Sequence, residues 1–242
     1  MSDGRAPASA RSVLGAAIGG GIIGALLTAA ILFFALPNLL SSRIVRQGLL
    51  ADPKILTDAV DALRDAQYEP FLASQRAAIE TPFGSSWKGS AKPDVTLVEF
   101  FDYACPYCKA SNPSVDRLVA EDKGLRVVYR ELPILGPDSV TAARLSLEAS
   151  KLGRFSKFHD TLWATGRPAP DTNAAAARAA GIAPQPPNDP SIDAELKRNF
   201  QLAGQLGATG TPLFVIGDRV MNGAVGYDTL KQAIEAARKK TS

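Results

Sequence analysis

The first strongly patterned stretch of the chain is apolar with almost no interruption. From Val13 to Leu36 only Thr28 is clearly polar. At about 1.5 Å per residue such a run can cross a hydrocarbon core of roughly 30 Å. It is longer than the roughly 7–15 apolar residues of a cleaved signal peptide. No small-x-small step follows it in Ala35-Leu-Pro-Asn-Leu-Leu-Ser-Ser42. Residues 13–36 are therefore expected to be a retained transmembrane anchor behind a short segment, 1–12. From Leu49 to about Glu80 the pattern turns amphipathic. Leu49, Leu56 and Leu63 recur at heptad spacing, with Ala59, Val60 and Ala66 between them. This predicts a helix starting near Asp52-Pro53 and kinked or ended by Pro70. A second short helix is expected through Phe71, Leu72, Gln75, Ala78 and Ile79. Residues 37–83 thus form a helical stalk, and Thr81-Pro-Phe-Gly-Ser-Ser86 reads as the linker out of it. Helices of this size need a partner. The stalk either folds onto the following domain or makes a homo-oligomer through residues 49–80.

Beyond the linker the period changes. Val95-Thr-Leu-Val-Glu-Phe-Phe101 is a short, β-branched and apolar strand, suited to a sheet buried on both faces. Cys105-Pro-Tyr-Cys108 follows and opens a helix to about Asp122. Leu125–Leu132, bounded by Gly124 and Pro133, is a second strand. Val140 to about Thr165 is helical, Thr172–Ala180 is an Ala-rich helix, and the Pro-rich turn Pro184–Pro190 introduces a helix from Ile192 to about Leu206. Pro212–Ile216 and Arg219–Met221 make a hairpin around Gly217-Asp218. Tyr227–Lys240 is an amphipathic helix with its cations at the C-terminal end, where the helix dipole favours them. The order strand–helix–strand, helices, strand–strand–helix describes an α/β domain over 84–242. Its sheet is interrupted by an all-helical insertion at about 139–206.

Composition narrows the chemistry. With 46% hydrophobic and 21% charged residues, the chain is neither a disordered tail nor a polytopic membrane protein. A net charge of +3 with no Lys/Arg-rich block gives no reason to expect nucleic acid as a partner. The chain has two cysteines, both in Cys105-Pro-Tyr-Cys108. A pair so close in sequence closes almost no loop, so a structural staple would gain little from it. A structural zinc site needs about four ligands, and two cysteines with one distant histidine, His159, fall short. No metal and no other cofactor is called for, and thiol redox chemistry is the reading that remains.

Within the motif, Pro106 suits the first position of a helix and places Cys105 at the helix N-terminus. Unpaired backbone N–H groups and the positive dipole end favour a thiolate there. Cys108 lies one turn on, on the same face, where it can close a disulfide with Cys105 without unwinding the helix. Cys105 is thus expected to be the exposed nucleophile and Cys108 the buried resolving thiol. Thr211-Pro212, entering a strand after Gly210, is a candidate cis peptide. Glu99 lies on the strand that feeds the motif, among Leu97, Val98, Phe100 and Phe101. A carboxyl in that setting would hold its proton more tightly and could relay it for Cys108. The alternative is a carboxylate at a solvated strand end. His159 reads as packing or capping rather than chemistry.

Three segments together resemble the DsbA-like thiol–disulfide oxidoreductases of bacteria. They are Val98-Glu-Phe-Phe-Asp-Tyr-Ala-Cys-Pro-Tyr-Cys-Lys109, Lys157-Phe-His-Asp-Thr-Leu162 and Gly210-Thr-Pro-Leu-Phe-Val-Ile-Gly217. The resemblance covers about Gly84 to Lys240. It implies a thioredoxin-like fold with an inserted helical subdomain, acting on unfolded or disulfide-containing secreted proteins. It also implies a membrane redox-recycling partner, and a single-pass bacterial inner-membrane protein with its catalytic domain in the periplasm. By the same resemblance Cys105 is the nucleophile, Cys108 the resolving thiol and Glu99 the buried acid. Thr211 and Pro212 clamp the substrate opposite the motif, with Pro106 and Tyr107 beside it. Two positions depart from the archetypal oxidase, which has histidine at the place of Tyr107 and valine at that of Thr211. Without that histidine the Cys105 thiolate lacks a cationic partner, so a milder oxidant is implied. The stalk is similar to that of oligomeric members that reshuffle or reduce disulfides. Oxidase and isomerase or reductase therefore stand as rivals. Two other readings are a redox-inactive chaperone or docking module and an inward-facing cytoplasmic reductase. Arg5 and Arg11 before the apolar run, against Arg43, Arg46 and Lys54 after it, set no clear orientation.

Overall fold

The computed structural model describes residues 44–241. The expected anchor at 13–36 lies outside the described residues, as does the segment 1–12. Among the described residues no helix is long and apolar enough to cross a membrane. The chain divides into two compact units at Asp61/Ala62. Residues 44–51 are helical, and a long helix, α1, runs over Lys54–Glu80.

Five strands form one sheet: β1 (Trp87–Gly89), β2 (Val95–Phe101), β3 (Leu125–Glu131), β4 (Leu213–Ile216) and β5 (Arg219–Asn222), in the order β1-β3-β2-β4-β5. β2 and β3 are parallel and joined by helix α2 (Pro106–Glu121); β4 lies antiparallel on the other side of β2. Between β3 and β4 come four helices, α3 (Pro137–Lys151), α4 (Phe155–Thr165), α5 (Pro170–Ala179) and α6 (Pro190–Gln205). Helix α7 (Tyr227–Thr241) ends the chain. This is a thioredoxin-like α/β fold with a helical insertion.

β2 is central because both its faces are apolar. Leu97 and Phe101 join a core with α2, α7 and α3–α5, while Val98 and Phe100 join a second core with Leu202, Ala203 and Leu206 around the end of α6. Glu99 shares the parity of Leu97 and Phe101, so it points toward α2. The second core also takes in Leu72 and Ile79 of α1, each about 2% exposed or less.

Several expectations are corrected here. Pro70, expected to kink or end the helix, does not end it, and α1 runs on to Glu80. A proline inside a helix costs about 3 kcal/mol, but burial of Leu72 and Ile79 beyond it offsets that cost. Arg130 secures the end of that helix, donating to the carbonyls of Ala78, Ile79 and Thr81. The second compact unit begins at Ala62, so the latter part of α1 belongs with the domain expected over 84–242. The expected linker is docked as well: Ser85 N–H donates to Ser150 O at 2.9 Å, and the Ser86 and Ser150 hydroxyls bond at 2.6 Å. β1 was not anticipated; three residues are too few for a period, and only its pairing with β3 creates it. The expected long helix 140–165 is two helices, divided at Gly153, whose φ of 74° suits only glycine.

Candidate active site

The end of β2 and the start of α2 are held by one carboxylate. Asp102, 1% exposed, accepts the Ala104 N–H at 2.7 Å through Oδ1, along with the Ser139 hydroxyl. Through Oδ2 it accepts the N–H groups of Ile134 and Leu135 at 2.8 and 2.9 Å. Its own carbonyl takes the Cys105 N–H at 2.9 Å. Four donors satisfy the carboxylate and join the turn before the cysteines to the loop after β3. Asp102 was not singled out from the sequence. Its local signal was an Asp at a strand end whose side chain can bond the backbone two residues on; its bonds to 134, 135 and 139 had none.

From this anchor Cys105 becomes the N-cap of α2, in extended backbone with Pro106 at the first helical position. Cys105 and Cys108 are both free in this structure. Cys105 Sγ approaches the Thr211 carbonyl at 3.2 Å, and the Thr211-Pro212 peptide is cis. β2 and β4 pair antiparallel, Phe100 opposite Leu213, and that register carries Thr211 and Pro212 to the end of the sheet where α2 starts. The sheet thus brings together residues a hundred positions apart. One expectation changes: Cys105 is only 4% exposed, because the Thr211 segment lies against its sulfur. Cys108 is completely buried, as expected, whereas Tyr107 is 65% exposed and Pro106 is exposed beside it.

Beneath the cysteines lies Glu99, 2% exposed in mid-strand, which removes the alternative of a solvated strand end. Burial pushes its carboxyl up to about 8; Asp116 adds to the rise and Lys88 opposes it. Burial likewise pushes the Cys108 thiol far above its ordinary range, and the Glu99 charge adds to it. The Asp102 backbone and Thr211 pull the thiol the other way. A thiol that resists ionisation thus sits in the field of a carboxyl that changes state near neutral pH, which is the pairing a proton relay requires.

His159 belongs to the supporting wall. Its Nε2 accepts the Trp163 indole N–H at 3.1 Å, and Nδ1 lies 3.0 Å from the Tyr103 hydroxyl, which also meets the Ser146 hydroxyl at 3.0 Å. Burial holds the imidazole well below its ordinary range, hence neutral. An indole only donates, so the remaining imidazole proton sits on Nδ1.

The family model of the DSBA-like thioredoxin domain matches residues 96–235, more than half of the chain. Among solved structures, a periplasmic thioredoxin-like protein from Salmonella enterica serovar Typhimurium is 32% identical. The match covers 68% of this chain and 95% of that one, with a TM-score of 0.62. ScsC of Proteus mirabilis, in a transitional conformation, is 28% identical over 83% of this chain and 94% of its own, with a TM-score of 0.65. Among curated proteins, the Na(+)/H(+) antiporter NhaA 1 of Salinispora arenicola is 29% identical over 62% of this chain. The chain spans about a quarter or less of the length of the curated relatives it matches.

Proposed function

This chain belongs to the family of DSBA-like thioredoxin domains, thiol–disulfide oxidoreductases, and from that membership we propose that it exchanges disulfides in protein substrates, with Cys105 attacking and Cys108 resolving. The observation that carries the proposal is the 3.2 Å approach of Cys105 Sγ to the Thr211 carbonyl. It sets the nucleophile against a backbone segment that an extended substrate can join as an added strand. The Cys105 thiolate attacks one sulfur of a substrate disulfide; that S–S bond breaks, and the other substrate sulfur leaves as a thiolate. Cys108 then passes its proton to Glu99 and attacks Cys105 Sγ, closing the Cys105–Cys108 disulfide and releasing the second substrate sulfur. The substrate gains two electrons and the cysteine pair loses them. Run in reverse, the same steps oxidise a substrate dithiol. Exposed Tyr107 and Pro106 form the rim against which the substrate lies.

We favour reduction and reshuffling over net oxidation. On α1, Leu56 and Val60 are 60% and 47% exposed and lie one turn apart on one helix face. Such a stripe suits a second copy of the chain, and two Cys105 sites on one oligomer give two grips on one misfolded substrate. The apolar run 13–36 would hold the chain in the inner membrane with this domain in the periplasm, recycled by a membrane redox partner. Cys108→Ser should accumulate mixed disulfides visible on non-reducing gels, and Cys105→Ser should accumulate none. A native chain that exchanges no disulfides, with no mixed disulfide trapped in Cys108→Ser, would hand the chain to the redox-inactive chaperone reading. A resting dithiol in cells supports reshuffling, and a resting disulfide would give oxidation the lead.

A further inference from the structure

Glu99 is enclosed, yet a carboxyl that takes a proton from Cys108 must later give it to solvent. Neither Glu99 Oε2 nor the Tyr129 hydroxyl has a hydrogen-bond partner among the described residues. The two stand side by side, since Glu99 pairs with Tyr129 in the parallel register of β2 and β3. One strand further out, Lys88 pairs with Val127 and therefore lies on the same face of the sheet. Lys88 Nζ lies 5.9 Å from the Tyr129 ring centroid. It bonds Asp116 of α2 at 3.0 Å and Asp160 of α4 at 2.6 Å. Its side chain is 13% exposed, whereas those of Asp116 and Asp160 are 52% and 58% exposed. A file of polar groups thus runs from Glu99 through Tyr129 to a lysine whose two carboxylate partners are in water.

We propose that Lys88, held between Asp116 and Asp160, is a positioning residue that governs proton exchange between Glu99 and solvent. The proposal rests on Glu99 being the proton partner of Cys108, and adds the residues that set when that proton moves. Cys108 and Asp116 from α2, Tyr129 from β3 and Lys88 from β1 act on Glu99 or stand beside it; from α4, Asp160 bonds Lys88 and neutral His159 packs on the Tyr129 ring. β4 places Phe214 opposite Glu99. Of the charged groups, Lys88 favours the carboxylate and Asp116 opposes it. Tyr129 keeps its proton, because burial pushes its hydroxyl well above the ordinary range, so it can accept one hydrogen bond and donate another.

The test uses the full chain in reduced form, mixed in stopped flow with an aromatic disulfide that releases a coloured thiolate at each attack. The first phase reports Cys105 and the second, absent from Cys108→Ser, reports Cys108. The pH profile of the second phase should show a midpoint near the Glu99 value of about 8. Lys88→Gln should move it up by about half a unit or more, and Asp116→Asn should move it down. Lys88→Arg, which keeps the charge, should restore it. A role confined to holding α2 against α4 would not produce opposite shifts. If Glu99→Gln abolishes the midpoint but Lys88→Gln and Asp116→Asn leave it in place, the Lys88 inference fails and the role of Glu99 stands. If Glu99→Gln retains the midpoint, the role of Glu99 falls, and this inference with it.

Discussion

A carboxyl held at about 8 in the fold, against an ordinary value of 4.5, stays protonated where the unfolded chain has already lost its proton. The folded form therefore binds more protons than the unfolded form between those values. The resulting stability is full below about pH 4.5 and is lost as pH rises through about 8. Glu99→Gln cannot ionise and escapes that loss. Urea denaturation across pH should show the variant gaining on the native protein from pH 5 to 9, by on the order of a few kcal/mol. A difference that is flat with pH would show that Glu99 titrates alike in both states. At this scale the sequence was informative about Glu99, because its apolar neighbours on a buried strand already pointed to a carboxyl out of water. It was silent about Lys88, which meets Asp116 and Asp160 over separations of 28 and 72 residues.

Arg130 decides how α1 ends. Three of its bonds go to carbonyls that a helix C-terminus leaves without donors, and its Nη1 meets Glu195 at 2.9 Å and Asn199 at 3.0 Å on α6. Arg130 and Glu195 are 2% and 5% exposed. Arg130→Met would leave Glu195 with only the longer 3.6 Å contact of Arg198. It should cost about 3 kcal/mol or more in urea denaturation. Hydrogen exchange should quicken first in the last turn of α1, and Glu195→Leu should recover part of the loss. Equal protection of that turn in native and variant protein would mean that apolar packing alone holds it. Local pattern forecast a helix here but placed a kink or an end at Pro70, because the forces that carry it onward come from β3 and α6.

For the molecule as a whole, the unit boundary at Asp61/Ala62 changes which truncation is informative. A fragment starting at Gly84 would strip Leu72 and Ile79 from the second core and remove the carbonyls that Arg130 binds. Its failure would say nothing about oligomers. Starting at Ala62 keeps that core and removes the exposed stripe of Leu56 and Val60. Light scattering should find fragment 44–242 oligomeric and fragment 62–242 monomeric. The shorter one should keep simple dithiol exchange and lose refolding of a scrambled multi-disulfide substrate. Equal activity on that substrate would make the stripe irrelevant to reshuffling.

The sequence by itself determined the class of chemistry and the frame that bears it. A cysteine pair at a helix start after a buried strand, and Thr-Pro entering a later strand, are local signals. So is the change of period that marks strands from helices. Their physics acts within a few residues, so it can be read along the chain. Tertiary structure alone decided what depends on distant partners: the shielding of Cys105 by Thr211, the four donors gathered by Asp102, the creation of β1 by pairing, and the docking of α1 through Arg130. Burial and hydrogen bonding between remote segments set these, and in each case the energy belongs to the pair rather than to either segment.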